Sequence, residues 1–398
     1  MRRASLRILI TNNTLGRRYG SELYVRDLAL ALMRRGHFPV VYSTVLGDVA
    51  AELREATVPV VDDLRALNTP PDVIHGHHHL DAMTAMLQFP EVPAIYVCHG
   101  WLPYEERPPV FPSIRRYVAV DDLCRERLLT TSGIAPELID MLYNFVDMDR
   151  FRPRDPLPAV PRSALIFSNS ATDGSFGATI REACQAFGIE RIDVAGLASG
   201  HAITQPEQEL GGYDIVFGKA RCALEAMAVG CATVVADFAG LAGMVDTGNM
   251  QQMRRLNFGV RTMQAGAITR DSVLTALRAY NPADARQVAE WIRSEADMCA
   301  AVDRLLVIYD LAINAPPAAE GKQLSRAALA DASAYLRSLA PVIKGRHEAE
   351  KRAQQAGEAL RVAESRSLRI AGELAGLQAS RAWRALGGYR KLRAWLGL

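Results

Sequence analysis

The sequence offers little from which a zinc site, a disulfide framework or a membrane span could be built. Its 398 residues include six cysteines, and no two of them form a Cys-x-x-Cys pair. We therefore interpret the cysteines as reduced thiols of a cytoplasmic protein. The N-terminal apolar run is shorter than the roughly 7–15 residues of a secretory signal, and no run reaches the roughly 20 residues of a membrane span.

The charge balance excludes a general affinity for nucleic acid. The formal net charge is +2, and the 49% hydrophobic and 23% charged residues are typical of a soluble globular chain. A chain of this length predicts two domains. The charge is unevenly placed, because residues 381–398 contain five basic residues and no acidic one. This asymmetry predicts a basic tail on an otherwise balanced protein.

Short apolar runs alternate with helical patterns along most of the chain. Residues 6–44 form a strand–loop–helix–strand unit, and the alternation continues to about residue 147. The proline-rich residues 150–162 predict an interdomain linker. Four further apolar runs between residues 164 and 238 predict a second sheet. The pattern is that of an α/β protein with two doubly wound, Rossmann-like domains.

The loop after the first strand is a candidate ligand site. Gly16, Arg17 and Gly20 lie between that strand and its helix, where free backbone N–H groups can bind a phosphate or a sugar. The alternative is a tight turn with solvated arginines.

Histidines follow two later strands of the first domain. His77 lies in the run HGHHH, and His99 lies in VCHGW. Both are expected at the carboxyl edge of the sheet, where ligands of open α/β sheets bind. A metal site is the weaker alternative, because consecutive residues at a strand end point in different directions and no second ligand motif is present.

The segment GKARCALEAMAVGCATVVAD, residues 218–237, carries charge around the start of a helix. Free N–H groups at that start, together with Lys219 and Arg221, favour a diphosphate. Glu225 lies near the first helical turn, where it could accept hydrogen bonds from ribose hydroxyls. The alternative is an ordinary solvated helix end.

Five segments resemble, in order, those of glycosyltransferase family 4, whose members are retaining enzymes with the GT-B architecture. They run from YGSELYVRDLALALMRRGHFPVVYST through DVIHGHHHLDAM, PAIYVCHG and YVAVDDLCRERLLTTSGIAPELIDMLYNFVDMDRFRP to ALEAMAVGCATVVAD. The resemblance covers about residues 6–314. It implies an acceptor domain at residues 1–147, a nucleotide-sugar domain at 148–297 and a crossover helix at 298–314 that returns to the first domain.

The resemblance also implies roles for single residues. Gly20 and His99 match positions near the donor phosphate and the transferred sugar, and Asn144 begins the segment at the interdomain crossover. Glu225 matches the second Glu of the E-x7-E motif, which contacts the donor ribose. No metal or other cofactor is expected. The predicted site residues are His99 and Lys219 for catalysis, Gly20, Asn144, Gly218, Arg221 and Glu225 for donor binding, and Gly16, Arg17 and His77 for acceptor binding.

The sequence departs from the family pattern at the donor site. Phe217 stands eight positions before Glu225, where the family has its first Glu, and no basic residue follows the first strand of the second domain. Lys219 and Arg221 could supply the missing positive charge. The prediction is a transferase that moves a sugar from a nucleotide-sugar to a lipid-linked or polymeric acceptor in bacterial cell-surface polysaccharide synthesis. The alternatives are a non-catalytic GT-B scaffold or partner and, less favoured, a nucleotide-sugar epimerase.

Residues 315–398 are expected to form a linker, a helical extension and the basic tail. Helices are predicted over residues 325–339 and about 344–378, and the four-three spacing of apolar residues in the second favours a coiled coil and a homo-oligomer. Residues 383–398 combine aromatic and basic side chains, which suits an anionic membrane surface. The alternative is a helix that packs on its own protein or in an oligomer.

Overall fold

The computed structural model describes residues 5–101, 104–172, 174–264, 266–316 and 322–379, together with residues 383, 387, 389 and 393–397. The chain divides into two compact units, Met1–Leu329 and Ala330–Leu398. The first unit contains two α/β domains, and the second is helical. All six cysteines are free.

The N-terminal domain is built on a seven-stranded sheet whose strands all run parallel. The strands are β1 (Arg7–Thr11), β2 (Phe38–Tyr42), β3 (Val60–Val61), β4 (Val73–His77), β5 (Ala94–Cys98), β6 (Ile114–Ala119) and β7 (Ile139–Met141). Their spatial order is β3-β2-β1-β4-β5-β6-β7. The connecting helices are α1 (Gly20–Arg34), α2 (Asp48–Glu55), α3 (His79–Gln88) and α4 (Asp122–Thr130). Every residue of β4 and β5 is buried, as a parallel sheet covered on both faces requires.

The C-terminal domain has a five-stranded sheet with one antiparallel edge. Its strands are β8 (Ser163–Phe167), β9 (Arg191–Ala195), β10 (Ile215–Gly218), β11 (Ala232–Asp237) and β12 (Gly240–Met244), in the order β12-β11-β10-β8-β9. Its helices are α5 (Phe176–Phe187), α6 (Pro206–Glu209), α7 (Ala220–Val229), α8 (Met250–Arg255), α9 (Val260–Met263), α10 (Arg270–Arg278) and α11 (Pro282–Glu295). The sequence pattern did not predict β12, because glycines at positions 240 and 243, both with positive φ, interrupt its apolar residues.

A further helix, α12 (Met298–Asn314), packs against β4, β5 and β6 of the N-terminal domain. Its Tyr309 hydroxyl lies 2.6 Å from His75 Nδ1, inside that domain. Just before the helix, Val146 N donates to Ala296 O and Met298 N donates to Val146 O. The chain therefore leaves the C-terminal domain and returns to the N-terminal one through this helix.

The C-terminal extension differs from its prediction in one respect. Helix α13 spans Lys322–Ala379 without a break and contains Pro341, where two separate helices were expected. A proline removes one helical hydrogen bond and adds a local clash, and the alanine- and leucine-rich flanks have high helix propensity. No described helix is long and apolar enough to cross a membrane. Most of the predicted tail lies outside the described residues, although Tyr389 and Trp395 are exposed.

Candidate active site

A cavity of about 540 Å³ opens where the carboxyl ends of the two sheets meet. The N-terminal domain contributes His99 and Asn144 to its wall, and the C-terminal domain contributes Lys219 and Asn257. His99 directly follows β5 and Lys219 directly follows β10, so both stand at sheet edges where ligands of α/β proteins bind. Three of the predicted site residues thus share one cavity.

The His99 imidazole is fixed from behind by other rings. Its Nε2 lies 2.6 Å from His77 Nδ1, and the Tyr24 ring stands edge-on to it at 4.9 Å between centroids. Its backbone N–H donates to Glu106 Oε2 at 3.1 Å. Burial lowers the pKa of His99 to about 4, so the ring is neutral at pH 7. A neutral imidazole at this place can offer one hydrogen-bond donor or one acceptor to a ligand.

Lys219 is the cation that the C-terminal domain brings to the cavity wall. Its ammonium group pairs with Asp237 and lies 4.6 Å from the centre of the Phe238 ring. Asp237 also accepts a hydrogen bond from Ser168 Oγ at 2.9 Å. Lys219 is therefore held over the sheet edge with its charge partly balanced, which lowers its attraction for a diphosphate but fixes its position.

The N-terminus of α7, which was expected to bind an anion, is already hydrogen-bonded to a backbone carbonyl. Ala220 N donates to Phe258 O at 2.9 Å. Ala220, Asn257 and Phe258 all adopt positive φ, between 47° and 54°, which costs about 1–3 kcal/mol per residue outside glycine. The Asn257 side chain also donates to Val120 O across the domains at 3.1 Å. Asn257 and Phe258, which follow α8, therefore contact both α7 and the N-terminal domain.

Arg221 and Glu225 lie in a buried ion network instead of at the cavity wall. Arg221 Nε donates to Glu225 Oε1 at 2.7 Å, and the same guanidinium pairs with Asp27 on α1 of the other domain. Arg26 and Arg150 also contact Asp27, at 2.7 and 3.1 Å. Burial alone would raise the pKa of Asp27, but these three guanidinium groups hold it well below its usual range. Burial raises the pKa of Glu225, a residue that is only 3% exposed and whose carboxylate faces Arg221.

The other predicted residues also lie away from the cavity wall. His77 is fully buried behind His99, and Gly218 ends β10 beneath Lys219. Gly16 faces α2, where its carbonyl accepts from Asp48 N at 3.1 Å and a Cβ on Gly47 would lie 2.5 Å away. Arg17 and Gly20 are exposed at the start of α1. In this loop Arg18, which the prediction omitted, pairs with Glu52 and donates to Thr204 O of the other domain at 2.7 Å.

The structure shows where one departure from the family pattern, Phe217, lies. Phe217 is fully buried in the apolar core of the C-terminal domain, so no side chain from that position reaches the cavity. Among the described residues, no group of three His, Cys, Asp or Glu side chains is arranged to hold a metal ion.

Sequence reasoning missed several residues of the site. Asp237 ends an apolar strand, and strand-end carboxylates are common enough to carry no signal alone. Asp27 and Arg26 interrupt the apolar pattern of α1, and both are buried. That interruption was the available signal, because a charged pair inside an apolar helix face needs partners from elsewhere in the fold.

Similar solved structures define the class of this fold as GT-B. A crystal structure of Anabaena HepE in complex with UDP and glucose superposes with a TM-score of 0.55 at 13% sequence identity, covering 77% of this chain and 99% of that one. A glycosyltransferase from Rickettsia africae gives a TM-score of 0.51 at 15% identity, over 78% of this chain and 100% of that one. The predicted α/β class and GT-B architecture are confirmed.

The family match falls on the N-terminal domain. The model of Glycosyltransferase Family 4 matches residues 19–150, from the start of α1 to the beginning of the interdomain linker. The resemblance predicted from the sequence is confirmed there, and it supports a glycosyltransferase. No curated protein sequence is significantly similar to the chain.

Proposed function

We propose that the chain is a retaining glycosyltransferase that moves a sugar from a nucleotide-sugar donor to a lipid-linked or polymeric acceptor of the bacterial cell surface. The observation that carries this proposal is the interdomain cavity, which combines His99 and Asn144 of one domain with Lys219 of the other. Departure of a nucleoside diphosphate is stabilised by cations and fixed hydrogen-bond donors. Lys219 and His99 are placed to supply them.

The proposed chemistry relies on side chains and backbone without a metal or another cofactor. Lys219 would bind a phosphate oxygen in exchange for part of its pairing with Asp237. Arg261 also lines the cavity, where it pairs with Glu126 at 2.8 Å. Because both cations already have carboxylate partners, we expect modest donor affinity.

A non-catalytic scaffold is the second candidate, and one observation favours it. The head of α7, where a diphosphate would gain most from backbone N–H groups, has its first N–H bonded to Phe258 O. A scaffold would keep this contact permanently, whereas an enzyme would have to accommodate the phosphates beside it.

A donor screen separates the two functions. We expect one of UDP-, GDP-, ADP- or CMP-sugars to raise the melting temperature and to be hydrolysed slowly, and UDP-glucose is tested first because HepE was crystallised with UDP and glucose. Lys219→Gln should weaken that binding by at least about tenfold, since a hydrogen bond to a charged group is lost. Arg278→Gln, on the exposed side of α10, is the matched control. Absence of binding by every donor would leave the scaffold as the function.

We also propose that the C-terminal extension attaches the protein to membranes and joins copies of it. In α13 the side chains of Leu329, Leu336 and Ile343 are more than half exposed and recur every seven residues.

Deleting residues 380–398 should abolish sedimentation with anionic liposomes, and deleting residues 330–398 should in addition reduce the molar mass measured by light scattering to that of a monomer. Full liposome binding after deletion of residues 380–398 would contradict membrane attachment. An unchanged number of chains per particle after deletion of residues 330–398 would contradict the proposal that the extension joins copies.

A further inference from the structure

We infer that His77 is a positioning residue that sets the tautomer of His99, so that His99 presents an Nδ1–H donor to the interdomain cavity. This inference rests on the proposed transferase function, in which the Nδ1–H group of His99 would donate a hydrogen bond to an oxygen of the bound nucleotide-sugar. It assigns His77 a role behind the site in place of the acceptor contact predicted from sequence. The geometry of the two rings and the hydrogen bonds of their nitrogen atoms support this role.

The two imidazoles are held in a fixed relation. His77 ends β4, and its backbone is tied to β1 because His77 N donates to Thr11 Oγ1 at 3.1 Å while that hydroxyl donates to His77 O at 3.0 Å. The ring planes of His77 and His99 are inclined by 24° with centroids 4.7 Å apart. His77 Nδ1 and His99 Nε2 lie 2.6 Å apart, within hydrogen-bond distance. Only one of these two nitrogens can carry the shared proton.

The other nitrogen of His77 decides which one carries it. His77 Nε2 is buried and has no hydrogen-bond partner among the described residues. Among buried backbone groups, an N–H without an acceptor is rarer than an acceptor without a donor, and we apply the same preference to this imidazole. Nε2 is therefore the unprotonated nitrogen of a neutral His77, and the proton lies on Nδ1. His77 thus donates to His99 Nε2.

The tautomer of His99 follows directly. Its Nε2 accepts from His77, so a neutral His99 carries its proton on Nδ1. The contact through Nε2 is the only hydrogen bond of this ring among the described residues, and His99 lines the cavity. Nδ1–H is consequently the polar group that the ring has left for a ligand.

Two surrounding features keep this state in place. The Tyr24 ring stands edge-on to both imidazoles, at 5.3 Å from His77 and 4.9 Å from His99, which limits rotation of either ring. Burial lowers the pKa of both histidines, that of His77 well below its usual value and that of His99 to about 4. Both rings are therefore neutral at pH 7, and each has a single proton to place.

The opposite arrangement makes a different prediction. If His99 Nε2 donated to His77 Nδ1, the cavity would receive the lone pair of His99 Nδ1, which accepts hydrogen bonds from sugar hydroxyls and cannot stabilise an oxygen that gains negative charge. The choice between the two tautomers is thus a choice between an electrophilic donor and a base.

Long-range proton–nitrogen correlation spectra of the full-length protein with ¹⁵N-labelled histidine test the tautomer without substrate. Signals are assigned from their loss in His77→Asn and His99→Leu, and we expect both rings to be neutral and protonated on Nδ1 at pH 7. A spectrum with His99 protonated on Nε2 overturns the inference. The spectra are recorded without a nucleotide-sugar or an acceptor substrate. Their result is therefore independent of the outcome of the transferase assay.

A matched pair of variants supplies the kinetic test. In His77→Asn, the side-chain amide N–H lies close to the position of Nδ1 and retains a hydrogen-bond donor there. His77→Leu fills a similar volume without a hydrogen-bond donor. We expect His77→Leu to lower kcat about 100-fold with little change in KM, as for a misoriented catalytic group, and His77→Asn to retain most of kcat. Equal losses in both variants at equal melting temperature would show that His77 only fills space, and would overturn its positioning role.

Discussion

Replacing Asp27 by asparagine should lower the free energy of unfolding by about 3–5 kcal/mol, as expected when one partner of a buried ion pair is removed. Asp27 is 5% exposed and is the carboxylate at which Arg26, Arg150 and Arg221 meet. Asparagine keeps the shape of the side chain but removes the charge at which the three guanidinium groups meet. Each guanidinium then has its second carboxylate as a partner: Glu225 for Arg221, Glu52 for Arg26 and Glu207 for Arg150. The effect should appear as a lower midpoint in urea and a lower melting temperature.

The pH dependence of this effect follows from the depressed pKa of Asp27. A carboxylate whose pKa is lower in the folded state stabilises the fold at every pH above its unfolded pKa of about 3.9, and this contribution is lost as the pH falls through the folded value. The difference between wild type and Asp27→Asn should therefore be complete at neutral pH and shrink only in acid.

An exposed pair provides the control for the network. Asp63 contacts Arg65 on the surface of the same domain, with 47% of its side chain exposed. Asp63→Asn should leave the urea midpoint nearly unchanged, because solvent screens such pairs. If Asp27→Asn behaved like Asp63→Asn, water would have access to the network, and Arg221 and Glu225 would again be available to a donor nucleotide.

The sequence predicted the strands well wherever apolar runs indicate burial on both faces of a sheet. The helix predicted at residues 298–314 agrees to the residue with α12, whose start is marked by Asp297, which accepts a hydrogen bond from the backbone N–H of Ala300. α2 and α5 were missed, the latter because Gly177 and Thr179 weaken its pattern. The single helix across Pro341 shows that propensity along both flanks can outweigh one lost hydrogen bond.

The site was predictable only in part, since strand ends show where side chains gather but not which partner each one finds. His99, Asn144 and Lys219 reach one cavity because each follows or closely follows a strand at the facing sheet edges. Glu225 stands on the helix where it was predicted, yet its carboxylate faces Arg221. The cause is Asp27, almost two hundred positions earlier in the chain, and no local pattern connects residues so far apart.

Replacing His99 by leucine should lower the transfer rate about 100- to 1000-fold, the usual cost of removing one preorganised hydrogen-bond donor from a developing negative charge. Leucine fills part of the ring's volume, so the melting temperature should change little in comparison. The loss should lie mainly in kcat, because the donor N–H gains strength as charge builds on the leaving oxygen. Initial rates with the donor identified in the screen, measured over a range of donor concentrations, give both constants.

The same substitution at His201 is the control, because that histidine is exposed and its backbone makes the hydrogen bonds to Ser199 and Gly196. His201→Leu should transfer sugar at the wild-type rate. If His99→Leu did so as well while still binding the donor, His99 would lie beside the reacting atoms without touching them, and catalysis would have to come from Lys219 and the backbone of α7 alone. A rise in KM with unchanged kcat would instead make His99 a binding residue, since uniform binding of substrate and transition state alters KM only.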